Sequence, residues 1–247
     1  MKLIVLNSSS SSNGYILRSE KGEVLLLECG RKLLEVKKKL DFDLSGVKGL
    51  ILTHGHFDHS KYIEQYLAAG IPVYCSEGTR DNFPFKKERR PIIRQAGKVF
   101  MVGSFKVLAF KTEHDCPDPY GYVISHPESG VILFLTDSYY SQYKFKGLNH
   151  MLIESNWDSN IVHDNIMEGK ISPAMLNRLR SSHMSIKTCK QLLEANDLSK
   201  VKNIILIHLS AGNSNAKDFK KQVTELTGKK VTVAEPGIEI DFNLNIF

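Results

Sequence analysis

No stretch of the 247 residues reaches the roughly 18 uncharged apolar positions that a helical membrane span requires, which excludes that class of protein. The amino-terminal segment MKLIVLNSSSSSNGYIL lacks the long apolar stretch and small-residue cleavage site of an export signal, so the expected location is the cytoplasm. Cysteine is sparse and scattered: Cys29, Cys75, Cys116 and Cys189 form no CxxC pair. That excludes a dense disulfide framework and predicts reduced, mostly buried thiols. No unit recurs at a fixed period, which removes repeat architectures. Charge of one sign is not in large excess either; 33 basic against 27 acidic residues leave +6, which permits a polyanionic partner without demanding one. With 42% hydrophobic residues the chain can bury a core, and its length is commonly that of one folded domain, here residues 1–247.

The basic charge is unevenly placed. Residues 80–98 read RDNFPFKKERRPIIRQAGK and carry +5 on their own, with Phe83 and Phe85 among the cations. A basic stretch with interleaved aromatics can follow a phosphate backbone while stacking on bases, which makes Arg89, Arg90 and Arg94 candidate substrate contacts. A solvated connecting loop is the plainer reading of the same charges.

Short β-type runs at 2–6, 14–18 and 23–28 are separated by Ser/Asn/Gly turns. The period then changes, predicting a helix over 33–40, a buried strand over 47–53 and a helix over 59–69 closed by Gly70. The middle is strand-rich, and the last third alternates helices with strands at 203–209, 231–234 and 238–242. Two mixed sheets between helices accommodate this order, an α/β or α+β class.

The densest chemistry is THGHFDHS, residues 53–60, where an apolar strand gives way to a helix. Side chains alternate at a strand end, so His54 and His56 share one side, while the start of the helix can turn Asp58 and His59 toward a second point nearby. That pattern suits two metals. Imidazole and carboxylate ligands favour zinc, manganese or iron. His114, Asp137 and His208 also end apolar runs or lie just beyond them, and together they supply the ligand number of a dinuclear site. A bridging carboxylate is needed when two cations sit about 4 Å apart, and Asp137 is the candidate.

THGHFDH resembles the HxHxDH signature of the metallo-β-lactamase superfamily, and HDCPDPYGYVI, FLTDS and LIHLS resemble its later metal motifs in order. The resemblance implies an αββα sandwich, with His54, His56 and His114 on one metal, Asp58, His59 and His208 on the other, and Asp137 between them. SSHMSIKTCKQLL before LIHLS is similar to the tRNase Z and phosphodiesterase branch, in which a histidine at the position of His183 assists the leaving group. LIESNWD resembles the acidic motif before it, which implies that Glu154 orients His183. NSSSSSNGYIL, ESNWD, the SHMS segment and HLSAGNSN are similar to the WalJ-like (YycJ) group, which contains a DNA exonuclease. Three positions depart from that pattern: the order Asn13-Gly14, Trp157 in place of histidine, and Ser182 in place of glycine. A long Gly/Pro-rich arm of the tRNA-clamping kind is absent, which argues against tRNA 3′ processing.

These readings converge on a phosphodiesterase with two divalent ions, Zn or Mn, acting as a nuclease by attack of a hydroxide between the metals. Asp58, Glu154 and His183 are the candidate catalytic residues, and a nucleic acid or nucleotide is the expected partner. Hydrolysis of cyclic nucleotides is the competing reading, because it needs the same metals with only a compact pocket. Ser8 to Ser12 reads as a small-residue loop that lets substrate approach, and Ser210, Asn213 and Asn215 as a weaker phosphate-binding candidate. If the chain self-associates, a homodimer is the commonest form.

Overall fold

A run such as NIILI has no polar face to show to water, so it forms a strand only inside a sheet covered on both sides. The computed structural model describes residues 1–83 and 90–244 and buries that run completely. One sheet contains β1 (Lys2–Ser9), β2 (Ser12–Arg18), β3 (Val24–Leu27), β4 (Val47–Ile51), β5 (Val73–Cys75), β6 (Ile92–Ile93) and β14 (Glu239–Asp241), in the order β14-β1-β2-β3-β4-β5-β6. The other contains β7 (Val99–Val102), β8 (Phe105–Lys111), β9 (Tyr120–His126), β10 (Gly130–Leu135), β11 (Leu148–Glu154), β12 (Asn203–Ile207) and β13 (Lys230–Val233), in the order β13-β12-β11-β10-β9-β8-β7. Each sheet is half antiparallel and half parallel, with the parallel ladders running β3-β4-β5-β6 and β10-β11-β12-β13.

Parallel neighbours need crossovers. Helices α1 (Leu33–Lys39), α2 (Phe57–Ser60), α3 (Ile63–Ala68) and α4 (Glu77–Asp81) serve the first sheet. Helices α5 (Ser159–Met167), α6 (Pro173–Ser182), α7 (Ile186–Glu194) and α8 (Ala216–Thr227) serve the second. The period-2 alternation of strands separates the layers: Leu3, Val5, Tyr15 and Leu17 pack with Tyr122, Ile124, Phe134 and Leu152 between the sheets. Ile4, Ile16 and Leu26 face outward under Val36 and Tyr66, and Leu133, Ile153 and Leu206 face outward under Cys189, Leu193 and Phe219. The layers are therefore α/β/β/α, as the resemblance implied. All four cysteines are free.

The helix expected over 59–69 differs in the structure. It begins at Phe57 and is interrupted between Ser60 and Ile63. The cause lies far away in sequence: the Cys29 N–H donates to the His59 carbonyl at 2.7 Å, and the Cys29 carbonyl accepts from Tyr62 N–H at 3.0 Å. Those bonds occupy groups that a continuous helix needs for itself. They also pin His59 against the end of β3.

Candidate metal centre

The ligand-type side chains leave the carboxyl ends of strands along one rim. His54 follows β4, His114 follows β8, Asp137 follows β10, Glu154 ends β11 and His208 follows β12. Ligands in open α/β sheets gather outside those ends. Asp137 (φ 48°), His208 (φ 55°) and Glu28 (φ 65°) adopt left-handed backbone, a cost of about 1 kcal/mol or more each that persists only when the surroundings fix it.

Two groups form. Potential ligand atoms of His54, His56, His114 and Asp137 lie within 4.8 Å of one another, and so do those of Asp58, His59, Asp137 and His208. Asp137 belongs to both. Its Oδ2 is 3.5 Å from His54 Nε2, 3.5 Å from His114 Nε2 and 3.2 Å from His59 Nε2, while Oδ1 is 3.4 Å from His208 Nδ1. Asp58 Oδ2 lies 3.1 Å from both His59 Nε2 and His208 Nε2.

The donor set fits divalent cations. His54 Nε2 is buried without a hydrogen-bond partner among the described residues. His56 Nδ1 and His114 Nε2 face each other at 3.0 Å, although Ser182 O already engages His114 Nδ1 at 2.7 Å. The acids and imidazoles of the cluster also set one another's protonation. Burial opposes the charge on His59 and His208, but the Asp137 and Asp58 carboxylates outweigh it and hold His208 at about 10 and His59 well above its ordinary value. Burial likewise works against the Asp137 carboxylate, yet His208 and His59 bring its pKa well down. Burial, reinforced by His59, keeps His54 neutral.

A third group joins Asp137 and His208 to Glu154 and His183. His183 Nδ1 is 2.7 Å from Glu154 Oε1, and the His183 ring lies 5.3 Å from that of His114 and 5.4 Å from that of His208. Glu154 Oε2 accepts from Ser138 N–H at 3.0 Å and Met184 N–H at 3.1 Å. Burial opposes the imidazolium of His183, but the Glu154 charge overrides it and raises the pKa. One of the departures noted in the sequence acts here, since Trp157 Nε1 donates to His183 O at 3.0 Å, whereas the carbonyl that engages His114 is the backbone of Ser182, which glycine would supply equally.

Several residues at the site escaped sequence reasoning. Buried Glu28 places Oε2 3.5 Å from His59 Nδ1. Asn13 Nδ2 lies 3.1 Å from Asp58 Oδ2, and Asn156 Nδ2 donates to His208 O at 2.8 Å. The signals available were an acid closing the otherwise apolar run VLLLE and, for Asn13 and Asn156, their places in the segments NSSSSSNGYIL and ESNWD. Ser8 lies at the site by accepting from His208 N–H at 2.8 Å. The other weak candidates are engaged in holding the fold: Asn215 caps α8, Asn213 accepts from Asn165, and Ser210 N–H donates to Asn156 O. Arg89 lies outside the described residues, and Arg90 is exposed. Arg94 sits over the rings of Tyr74 and Phe100 at 5.0 and 5.2 Å, and its Nη1 donates to Ile93 O. No contact joins Arg90 or Arg94 to the cluster among the described residues.

Residues 25–209 match the family model described as the Beta-lactamase superfamily domain. The exodeoxyribonuclease YycJ of Bacillus anthracis is 23% identical over 240 residues, covering 92% of this chain and 89% of that protein. The metallo-β-lactamase fold protein YhfI from Bacillus subtilis superposes with a TM-score of 0.71 at 17% identity, over 97% of this chain and 99% of that one. Human tRNase Z, short form, gives 0.63 at 17% identity, over 98% and 99%. At such identities the two structures speak for the fold.

Proposed function

The chain belongs to the β-lactamase superfamily as a metal-binding hydrolase, and from that premise we propose that it is a dinuclear phosphodiesterase that cuts nucleic acid, DNA foremost, within one domain. The observation that carries the reading is the position of the His183–Glu154 pair against a carboxylate, Asp137, that two ligand groups share. A phosphodiester with an alkoxide leaving group needs a proton donor, and a buried acid–imidazole pair beside the ligands can supply one. Likeness to an exodeoxyribonuclease over nearly the whole chain supports the same substrate class.

Two divalent cations, zinc or manganese by the chemistry of the donors, would be held by His54, His56 and His114 and by Asp58, His59 and His208 with Asp137 common to both, and would supply charge neutralisation at the phosphoryl oxygens and an acidified water. The residues of the chain do the rest. Asp58, the ligand carboxylate that solvent reaches, with a side chain 19% exposed, accepts a hydrogen bond from the attacking water and orients it. Glu154 holds His183 Nδ1–H, which leaves Nε2–H as the proton for the departing oxygen.

The test is metal content by elemental analysis with turnover of 5′-labelled single-stranded DNA, RNA and a cyclic nucleotide, in zinc and in manganese. About two metals per chain and progressive shortening of DNA are expected. Turnover of the cyclic compound alone would replace the nuclease with a small-molecule phosphodiesterase, and less than one metal after reconstitution would remove the dinuclear site.

A further inference from the structure

Residues 80–98 are a basic run with aromatics, and a second segment of that kind begins at the ligands and runs from the carboxyl end of β10 to the amino end of its parallel neighbour β11. Residues 138–147 read SYYSQYKFKG: four aromatics, two lysines and no acid. This strap follows Asp137 at once. Its near end is fixed by Ser138, whose N–H donates to Glu154 and whose hydroxyl joins Glu113 N–H to the Tyr140 carbonyl. Tyr139 N–H donates to the carbonyl of Glu113, the neighbour of His114, at 3.1 Å. The far end is fixed by Phe145, whose N–H donates to Asn196 Oδ1 at 2.7 Å.

On this pinned backbone the rings face outward. Tyr139 is 38% exposed, Tyr140 53% and Tyr143 37%, more apolar surface than a loop needs for its own stability. Tyr143 is braced from behind by Phe110 and Phe145, at 5.5 and 6.4 Å between centroids, so little freedom is lost when something stacks on it. Tyr140, Tyr143 and Lys144 form one wall of a cavity of about 530 Å³, with Thr188, Gln191 and Glu194 of α7 opposite. Both walls start at the site, one following Asp137 and the other beginning three residues after His183.

We propose that this strap is the platform for a single-stranded polynucleotide, stacking unpaired bases on Tyr140 and Tyr143 while Lys144 and Lys146 neutralise the backbone. The inference rests on the nuclease reading and adds its strand preference. Aromatic faces on a fixed support bind bases of any identity, but only when those bases are out of a duplex stack. A cyclic nucleotide would occupy one ring at most and leave the lysines without a phosphate chain.

The experiment compares the metal-loaded protein with its Tyr140→Ala, Tyr143→Ala and Tyr140→Phe variants. The substrates are a labelled 20-residue oligodeoxythymidylate, the same strand in a duplex, and bis(p-nitrophenyl) phosphate. The ratio of kcat/KM for the strand to that for the small ester should fall about 5- to 150-fold in each alanine variant, through KM, and be restored by Tyr140→Phe. Unchanged KM for the strand in both alanine variants would overturn the platform while leaving the nuclease reading intact. Equal losses on strand and ester would also overturn it, by making the strap a support for the cleft. A wild-type protein that cleaves the ester and no polynucleotide would refute the nuclease reading and the platform with it.

Discussion

Replacing His183 separates proton delivery from metal binding, because His183 appears in neither ligand group of Asp137 that includes the HGHFDH motif. In His183→Ala, Glu154 loses the Nδ1–H at 2.7 Å but keeps the Ser138 and Met184 N–H donors on Oε2. The carboxylate therefore stays partly satisfied, and the structural cost is about 1–3 kcal/mol, that of one buried hydrogen-bond partner. Loss of the general acid slows cleavage of an oligonucleotide about 10²- to 10⁴-fold, or about 3–5 kcal/mol of barrier. The p-nitrophenolate of a synthetic diester departs without protonation, so its turnover should fall far less. The pH profile adds a second sign. His183 holds its proton above the ordinary imidazole range because Glu154 outweighs the effect of burial, so oligonucleotide cleavage declines as pH rises through that raised value. The decline should vanish in the variant. Metal content by elemental analysis and both rates are the assay; equal loss on both substrates, or loss of metal in step with activity, would refute the acid role.

Three further outcomes follow from the same contacts. His59 and His208 hold protons near neutral pH in the metal-free protein and must be neutral to ligate, so loading releases about two protons per chain; calorimetric heats that do not depend on the buffer's ionisation enthalpy would contradict this. Glu28→Gln, which replaces the buried carboxyl group 3.5 Å from His59 Nδ1 by an amide that cannot accept through both of its arms, should weaken metal affinity about 10- to 100-fold in a chelator competition, and an unchanged affinity would make Glu28 a mere core residue. His150 is buried against Phe242, at 4.0 Å between centroids, and burial lowers its pKa from 6.5 to about 4. The unfolded chain takes up that proton first, so stability is full above about 6.5 and falls by about 3 kcal/mol as pH drops toward 4; His150→Gln should flatten this limb in urea titrations.

The ligands were legible because the chain writes them together: four fall within His54–His59, and three more end runs such as VILFL and NIILI, where alternation leaves no other role for a polar side chain. Layer order was legible through the family resemblance, and the alternation that puts Leu3 between the sheets and Ile4 under the helices realises it. What stayed hidden was set by partners distant in sequence. The break between α2 and α3 depends on Cys29, some thirty residues earlier, and no local propensity encodes it. Asn13 and Glu28 reach the site only because β3 pairs with β4 and β2 pairs with β3 in the sheet. Arg94 reads as a free charge in sequence, and only the pairing of β5 with β6 brings Tyr74 beneath it.

The division of ligands between the sheets gives the site a structural role as well. His54, His56, Asp58 and His59 hang from the first sheet, whereas His114, Asp137 and His208 hang from the second. Each of the two groups that include the HGHFDH residues draws on both. A cation in either group therefore joins two layers that are otherwise held by apolar contacts such as Tyr15 against Phe134, at 5.6 Å between centroids, and by hydrogen bonds such as Tyr122 OH to Leu52 O and His208 N–H to Ser8 Oγ. Because the unfolded chain cannot present ligands from both sheets at once, metal binding adds directly to folded stability, by about 4 kcal/mol at a thousandfold excess over Kd. The left-handed backbone at Asp137, His208 and Glu28 works in the opposite direction, and it lies at the same rim. The strain that aims these three side chains is thus tolerated where bound cations can offset it, whereas Asp41, Phe42 and Asp118 adopt the same region in loops.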